Sequence, residues 1–109
     1  MWQRYLPRVK PFHSLKCNAD ADVLTLLAQS GCGFDVASKK ELETARKLNL
    51  PTDKIIFSNP CKPNSHIKAA ATAGISVLTF DNEPELRKIQ KVEYLLISYK
   101  KPKIYRICF

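Results

Sequence analysis

The sequence predicts an α/β fold, a partial (β/α) barrel of about four βα units that is incomplete relative to a full eight-fold barrel. Three observations carry this expectation. Short apolar runs recur at residues 11–15, 33–37, 54–58 and 75–80, at intervals of 21 or 22. Each run is followed by a stretch with helical spacing of apolar residues. The runs are short and nearly continuous in apolar character, as strands covered on both faces are. A strand–helix repeat of this kind builds a parallel sheet. A closed (β/α)8 barrel takes about 250 residues, and this chain has 109. The expectation is therefore a fragment of such a barrel, or a unit that closes as a small open sheet or by self-association.

The elements follow in order. The first strand is Pro11-Phe12-His13-Ser14-Leu15, ending at Lys16-Cys17-Asn18. The first helix starts near Asp20, buries Val23, Leu24, Leu26 and Leu27, and stops near Ser30-Gly31. The second opens on Ser38-Lys39-Lys40-Glu41, a capping box in which the hydroxyl accepts from the Glu N–H and the carboxylate reaches back. Its stripe is Leu42, Ala45 and Leu48, and Pro51 lies past its end. The third follows Pro63-Asn64, uses Ile67, Ala70 and Ala71, and stops at Gly74. The fourth starts at Asn82, has Pro84 in its first turn and turns Leu86 and Ile89 inward. After Gln90 the pattern loosens, with strands expected over residues 94–98 and 103–108.

Composition narrows the class. Hydrophobic residues make up 45% and charged residues 26%, a globular balance. No run approaches the ~18 apolar residues of a membrane span, and the start has no apolar signal core. Cys17, Cys32, Cys61 and Cys108 lack metal or CxxC spacing, so no metal site is expected. They read as reduced thiols of an intracellular, cytoplasmic protein, with a disulfide framework as the alternative. The net charge of +8 is concentrated at the ends: residues 1–10 carry three cations and residues 91–109 carry five with one acid. The body is nearly balanced and no basic, aromatic-studded stripe runs through it, which argues against nucleic-acid binding.

Strand alternation sets Phe12, Ser14 and Lys16 on one face, and Gly33, Asp35 and Ala37 on the matching face of the next strand. Lys16 then ends a strand, where βα barrels carry reactive groups. An inward amine beside an inward carboxylate suggests Schiff-base chemistry with an acidic partner. A solvated lysine and a turn-facing acid fit the spacing as well.

Pro11 to Asn18 resembles the cofactor-lysine segment of the eukaryotic ornithine decarboxylase family, the pyridoxal-phosphate-dependent ornithine, diaminopimelate and arginine decarboxylases. The likeness continues in order through Gly33-Phe34-Asp35-Val36-Ala37-Ser38, Asn59-Pro60-Cys61-Lys62 and Thr79-Phe80-Asp81-Asn82-Glu83. It covers roughly residues 6–90 of one N-terminal cofactor-binding barrel segment, leaving 91–109 as a divergent basic tail. Lys-Cys-Asn and Asn-Pro-Cys-Lys favour the ornithine branch.

The resemblance implies that Lys16 holds pyridoxal 5′-phosphate as a Schiff base, with Asp35 as the active-site acid near it. Glu41 matches a cofactor-side glutamate and competes with its role in the capping box. Arg106 matches a cofactor-facing arginine on the family's next strand. The implied reaction is decarboxylation of L-ornithine to putrescine in polyamine synthesis.

His13 and Ser14 stand where relatives often have Tyr and Ala. His13 is expected to pack towards the helices and His66 to be exposed. The family's phosphate loop and substrate-side groups lie further along its chain, and Gly31-Cys32-Gly33 is no phosphate cradle. The 109-residue chain alone is therefore expected not to turn over ornithine. The alternative is a non-catalytic protein resembling the antizyme inhibitors, whose antizyme surface would match residues 64–88. Lys68, Glu85 and Lys88 are expected to be exposed there as partner contacts, and a homodimer is a further expected partnership.

Overall fold

The computed structural model describes residues 1–94 and 103–106. The elements in chain order are α1 (Trp2–Tyr5), β1 (Phe12–Ser14), α2 (Ala21–Gln29), β2 (Gly33–Val36) and α3 (Lys39–Arg46). A 3-10 turn (Thr52–Lys54), β3 (Ile55–Phe57), α4 (Asn64–Thr72), β4 (Val77–Phe80), α5 (Glu83–Tyr94) and β5 (Lys103–Arg106) complete the set. The strands form one parallel sheet in the order β1-β2-β3-β4-β5. Neighbours in the sheet are neighbours in sequence, so the right-handed crossover rule stacks the helices on a single face. That is the winding of a (β/α) barrel, not of a doubly wound sheet whose order reverses.

Burial agrees with this winding. Phe34, Val36, Ile55, Phe57 and Leu78 alternate onto the helix side and form one core with Leu24, Leu42, Ala45 and Ala70. The opposite face carries Phe12, Ser14, Asp35, Ile56 and Val77, all only partly buried. A smaller cluster of Ile67, Ile89 and Val92, with Phe80 against it, joins α4 to α5.

Local chemistry explains the helix boundaries. Asp20 Oδ1 accepts from the Asp22 and Val23 N–H groups at 3.0 and 3.1 Å, satisfying the free donors that open α2. Ser38 Oγ accepts from the Glu41 N–H at 3.2 Å at the start of α3. Glu41 Oε2 reaches past Ser38 to the Ala37 N–H at 2.7 Å, so the capping box closes one residue further back than its spacing predicts. Gly31 and Gly74 sit at φ +80 and +75, the left-handed conformation that ends a helix at glycine.

Three sequence expectations change. Leu26 is 64% exposed, because residues two apart on a helix cannot share a face with Leu24. The last helix does not stop near Gln90 but runs to Tyr94, since Ile89 and Val92 continue its buried stripe. Tyr94 thus belongs to a helix and not to the strand expected over residues 94–98; residues 95–98 and Cys108 lie outside the described residues.

Gly33 is the tightest point of the sheet. A Cβ there would overlap the Phe12 ring and meet the Lys54 carbonyl at 3.0 Å. Gly33→Ala is expected to lower stability by about 1–3 kcal/mol, the usual cost of overpacking, read as a lower urea midpoint.

Candidate active site

The loops leaving the C-terminal ends of the strands carry the candidate groups. Lys16 lies in the turn after β1, closed by the Cys17 N–H donating to the Ser14 carbonyl at 3.1 Å. The strand therefore ends before Lys16, and strand parity does not orient it. Its side chain is exposed. The turn itself is well held. Leu15 is buried and its N–H donates to the Asp35 carbonyl at 3.1 Å. His13 Nε2 donates to the Asn18 carbonyl at 2.9 Å, and its ring meets Phe34 edge-on. His13 thus packs on the helix side, as its parity predicts.

Asp35 pairs in register with Ser14 of β1 and Ile56 of β3. Its Oδ1 is buried and has no hydrogen-bond partner. Among the described residues the salt bridges are Lys62–Glu85, Arg87–Glu83 and Lys88–Glu85, so Lys16 and Asp35 are in none of them. Thr79 Oγ1, on the same face of the sheet by alternation, is also buried without a partner. Buried polar atoms are normally satisfied, so these two atoms on one face each have room in their hydrogen bonding for a further polar group. Glu41 keeps Oε2 on the Ala37 N–H, which makes it first a helix cap. Arg106 stands opposite Phe80 in the register of β4 and β5, at the C-terminal end of the sheet.

The group that sequence reasoning missed is Lys62. It is fully buried, and its ammonium donates to the Asn59 carbonyl at 2.8 Å and the Thr79 carbonyl at 2.5 Å. Its third contact is Glu85 Oε1 at 3.1 Å. Three acceptors meet three donors, so the charged form is fully satisfied. The Lys62 backbone N–H also donates to Glu85 Oε1 at 3.0 Å. The available clues were its place in Asn59-Pro60-Cys61-Lys62 and an acid in the first turn of α5, one βα unit further on.

Burial pulls the Lys62 ammonium below its ordinary value, partly offset by Glu85. Burial alone would raise the Glu85 carboxyl, but hydrogen bonds from Lys88 and from the Lys62 N–H and ammonium together hold it below its ordinary range. The two directions are compatible because Glu85 answers two cations and Lys62 only one carboxylate.

The expected partner surface is corrected accordingly. Glu85 is 3% exposed and bound to Lys62 and Lys88, so it is not an exposed contact. Its position on the helix was read as outward, and burial of a lysine beneath it reversed that. Lys88 is 30% exposed and tied to Glu85, while Lys68 is exposed. His66, expected in solvent, is partly buried, with its ring 6.2 Å from that of Phe57 and Nδ1 buried and unpartnered.

Cys17 and Cys61 are exposed free thiols and Cys32 is a buried one. Among the described residues no group of three metal-ligating side chains assembles. No helix there is long and apolar enough to cross a membrane.

Known proteins resemble this arrangement in sequence and in shape. The family described as "Pyridoxal-dependent decarboxylase, pyridoxal binding domain" matches residues 1–96. The ornithine decarboxylase of Saccharomyces cerevisiae is 48% identical over 90 residues, covering 83% of this chain and 19% of that protein. Human antizyme inhibitor 2 is 51% identical over 86 residues, covering 79% of this chain and 19% of that protein. The crystal structure of ornithine decarboxylase from Entamoeba histolytica superposes with a TM-score of 0.85 at 30% identity, over 96% of this chain and 30% of the other. The chain thus spans about a fifth of the length of the curated relatives it matches.

Proposed function

The chain belongs to the pyridoxal-dependent decarboxylases, within their pyridoxal binding domain, and on that premise we propose that it carries pyridoxal 5′-phosphate on Lys16 for decarboxylation of L-ornithine to putrescine. The orphaned Asp35 Oδ1, on the strand next to Lys16, is the observation that carries the reading. A buried carboxylate oxygen without a donor fits a ligand that brings one. When bound, the cofactor supplies an electron sink for the charge left on carbon as carbon dioxide departs.

The chain's own groups take the remaining roles. Lys16 Nζ is exposed and outside the salt bridges described, so it is accessible to an aldehyde once it loses its proton. Asp35 accepts a hydrogen bond from the ligand and stabilises positive charge there. Glu41 holds the Ala37 amide beside Asp35, and its contact with the cofactor is secondary to that cap. Arg106, at the C-terminal end of β5, is assigned a cofactor contact on the family resemblance alone.

The test is reductive trapping. The chain is incubated with pyridoxal phosphate, reduced with borohydride and mapped by peptide mass. A single adduct on Lys16 is the expected result, whereas an adduct spread over the surface lysines overturns the reading.

A second reading has its own support. Human antizyme inhibitor 2 is as similar to this chain as the yeast decarboxylase is. In that reading the chain binds antizyme through the α4–α5 face, with exposed Lys68 and half-exposed Lys88 as contacts. Absence of any Lys16 adduct, with antizyme pull-down lost on charge reversal at Lys68 and Lys88, would favour it.

A further inference from the structure

The buried ammonium of Lys62 lies at the junction of several loop ends. It reaches the Thr79 carbonyl on β4, Glu85 in the first turn of α5, and the Asn59 carbonyl beyond β3. The last backbone ladder bond between β2 and β3 runs from the Ser58 N–H to the Val36 carbonyl at 2.9 Å. Beyond it the Asn59 side chain takes over, Nδ2 donating to the Ala37 carbonyl at 3.3 Å. The Asn59 Oδ1 also accepts from the Cys61 N–H at 3.1 Å, which fixes the amide. Ala37 in turn donates its N–H to Glu41 Oε2. One chain of hydrogen bonds therefore runs along the C-terminal edge of the sheet from α5 to α3. Asp35 lies in β2, two residues before the Ala37 link and one before the strand ends at Val36, so the hold on Ala37 fixes the chain just beyond it. The Lys62 links to Thr79 and Glu85 are buried and the links through Asn59 and Ala37 are part-buried, which limits the competition from water.

We propose that Lys62 is a positioning residue for the Asp35 carboxylate, setting the end of β2 through Asn59 and Ala37 and so fixing where Asp35 meets a pyridoxal ligand carried on Lys16. The proposal rests on the reading of Lys16 and Asp35 given above. Within the Asn-Pro-Cys-Lys segment, the asparagine then spans to the neighbouring strand and the lysine anchors the asparagine.

The experiment compares the full 109-residue chain with Asn59→Ala, Lys62→Met, Asp35→Asn and the Asp35→Asn/Asn59→Ala double variant. Hydrogen exchange of the Ala37 amide is followed without ligand, and binding of pyridoxal phosphate is followed by absorbance. Asn59→Ala removes one arm without stranding a buried charge, so it keeps the test alive if Lys62→Met does not fold. Ala37 exchange is expected to quicken about tenfold in Asn59→Ala and in Lys62→Met, and half-saturation by pyridoxal phosphate to rise about tenfold in each, the scale of one positioning hydrogen bond. In the Asp35→Asn background Asn59→Ala should add nothing further, because the group being positioned is gone. Unchanged half-saturation in Asn59→Ala overturns the proposal, and so does full additivity with Asp35→Asn. If the unsubstituted chain forms no adduct at Lys16, the site reading itself fails. The relay is then judged on exchange: faster exchange in Asn59→Ala sustains the hold on Ala37, and unchanged exchange refutes it.

Discussion

Lys16→Ala is expected to abolish the borohydride-fixed pyridoxal adduct outright while leaving stability almost untouched. Lys16 is exposed, lies in a turn beyond β1 and is in none of the salt bridges described. Substitutions at such surface positions typically change stability by no more than about 0.5 kcal/mol. The turn itself is built from the Ser14, Leu15 and Cys17 backbone, none of which the substitution alters. Peptide mapping and a urea midpoint, measured on the same preparations, separate the two effects. A persistent adduct in Lys16→Ala would show that another lysine is the reactive amine. A large fall in midpoint would show that Lys16 has a structural role that its exposure does not suggest.

Glu85→Leu is expected to do the reverse, costing about 3–5 kcal/mol by leaving the Lys62 ammonium buried without its counter-charge. The double variant Lys62→Met/Glu85→Leu should recover most of that loss, because replacing both partners removes the stranded charge. Lys88 is 30% exposed and can turn to water when Glu85 is gone, so it contributes less to the loss.

The pair also sets an acid limit on stability. The Glu85 carboxyl is held below its ordinary value in the folded chain. Below that ordinary value the unfolded chain binds the proton first, so stability falls with falling pH. Glu85's contribution is complete above its ordinary value and is lost as pH falls through the folded-state value. Urea midpoints across the acid range should therefore fall less steeply in the double variant than in the unsubstituted chain. Equal slopes would show that Glu85 has no share in acid unfolding.

The four βα units were legible because each element is announced locally. Ser38 three residues before Glu41, Asp20 before an apolar stripe, and glycines at 31 and 74 act within one or two turns of chain. The helical period likewise identified Leu24, Leu42, Ala45, Ile67 and Ala70 as core. Where the period was read too generously, as at Leu26, or stopped too early, as before Val92, neighbouring helices and strands decided which turn was covered.

Lys16 and Asp35 were identified in sequence from their spacing together with a family resemblance, and the sheet register then brought their strands side by side. Glu85 was misread and Lys62 missed for one reason: charge in a sequence is taken as solvent-facing unless a partner is known. Here the partner lies 23 residues away, across a helix and a strand.

The sequence alone determined the βα repeat and, through the family resemblance of its motifs, the identity of the candidate amine, since periodicity, caps and motif order are properties of neighbouring residues. Only the tertiary structure decided that Lys16 lies on a turn and not on strand parity, that the Asp35 Oδ1 is left without a donor, and that Lys62 is buried against Glu85. Each of these depends on which segments stack at the C-terminal edge of the sheet, where desolvation and hydrogen-bond geometry are set by contacts distant in the chain.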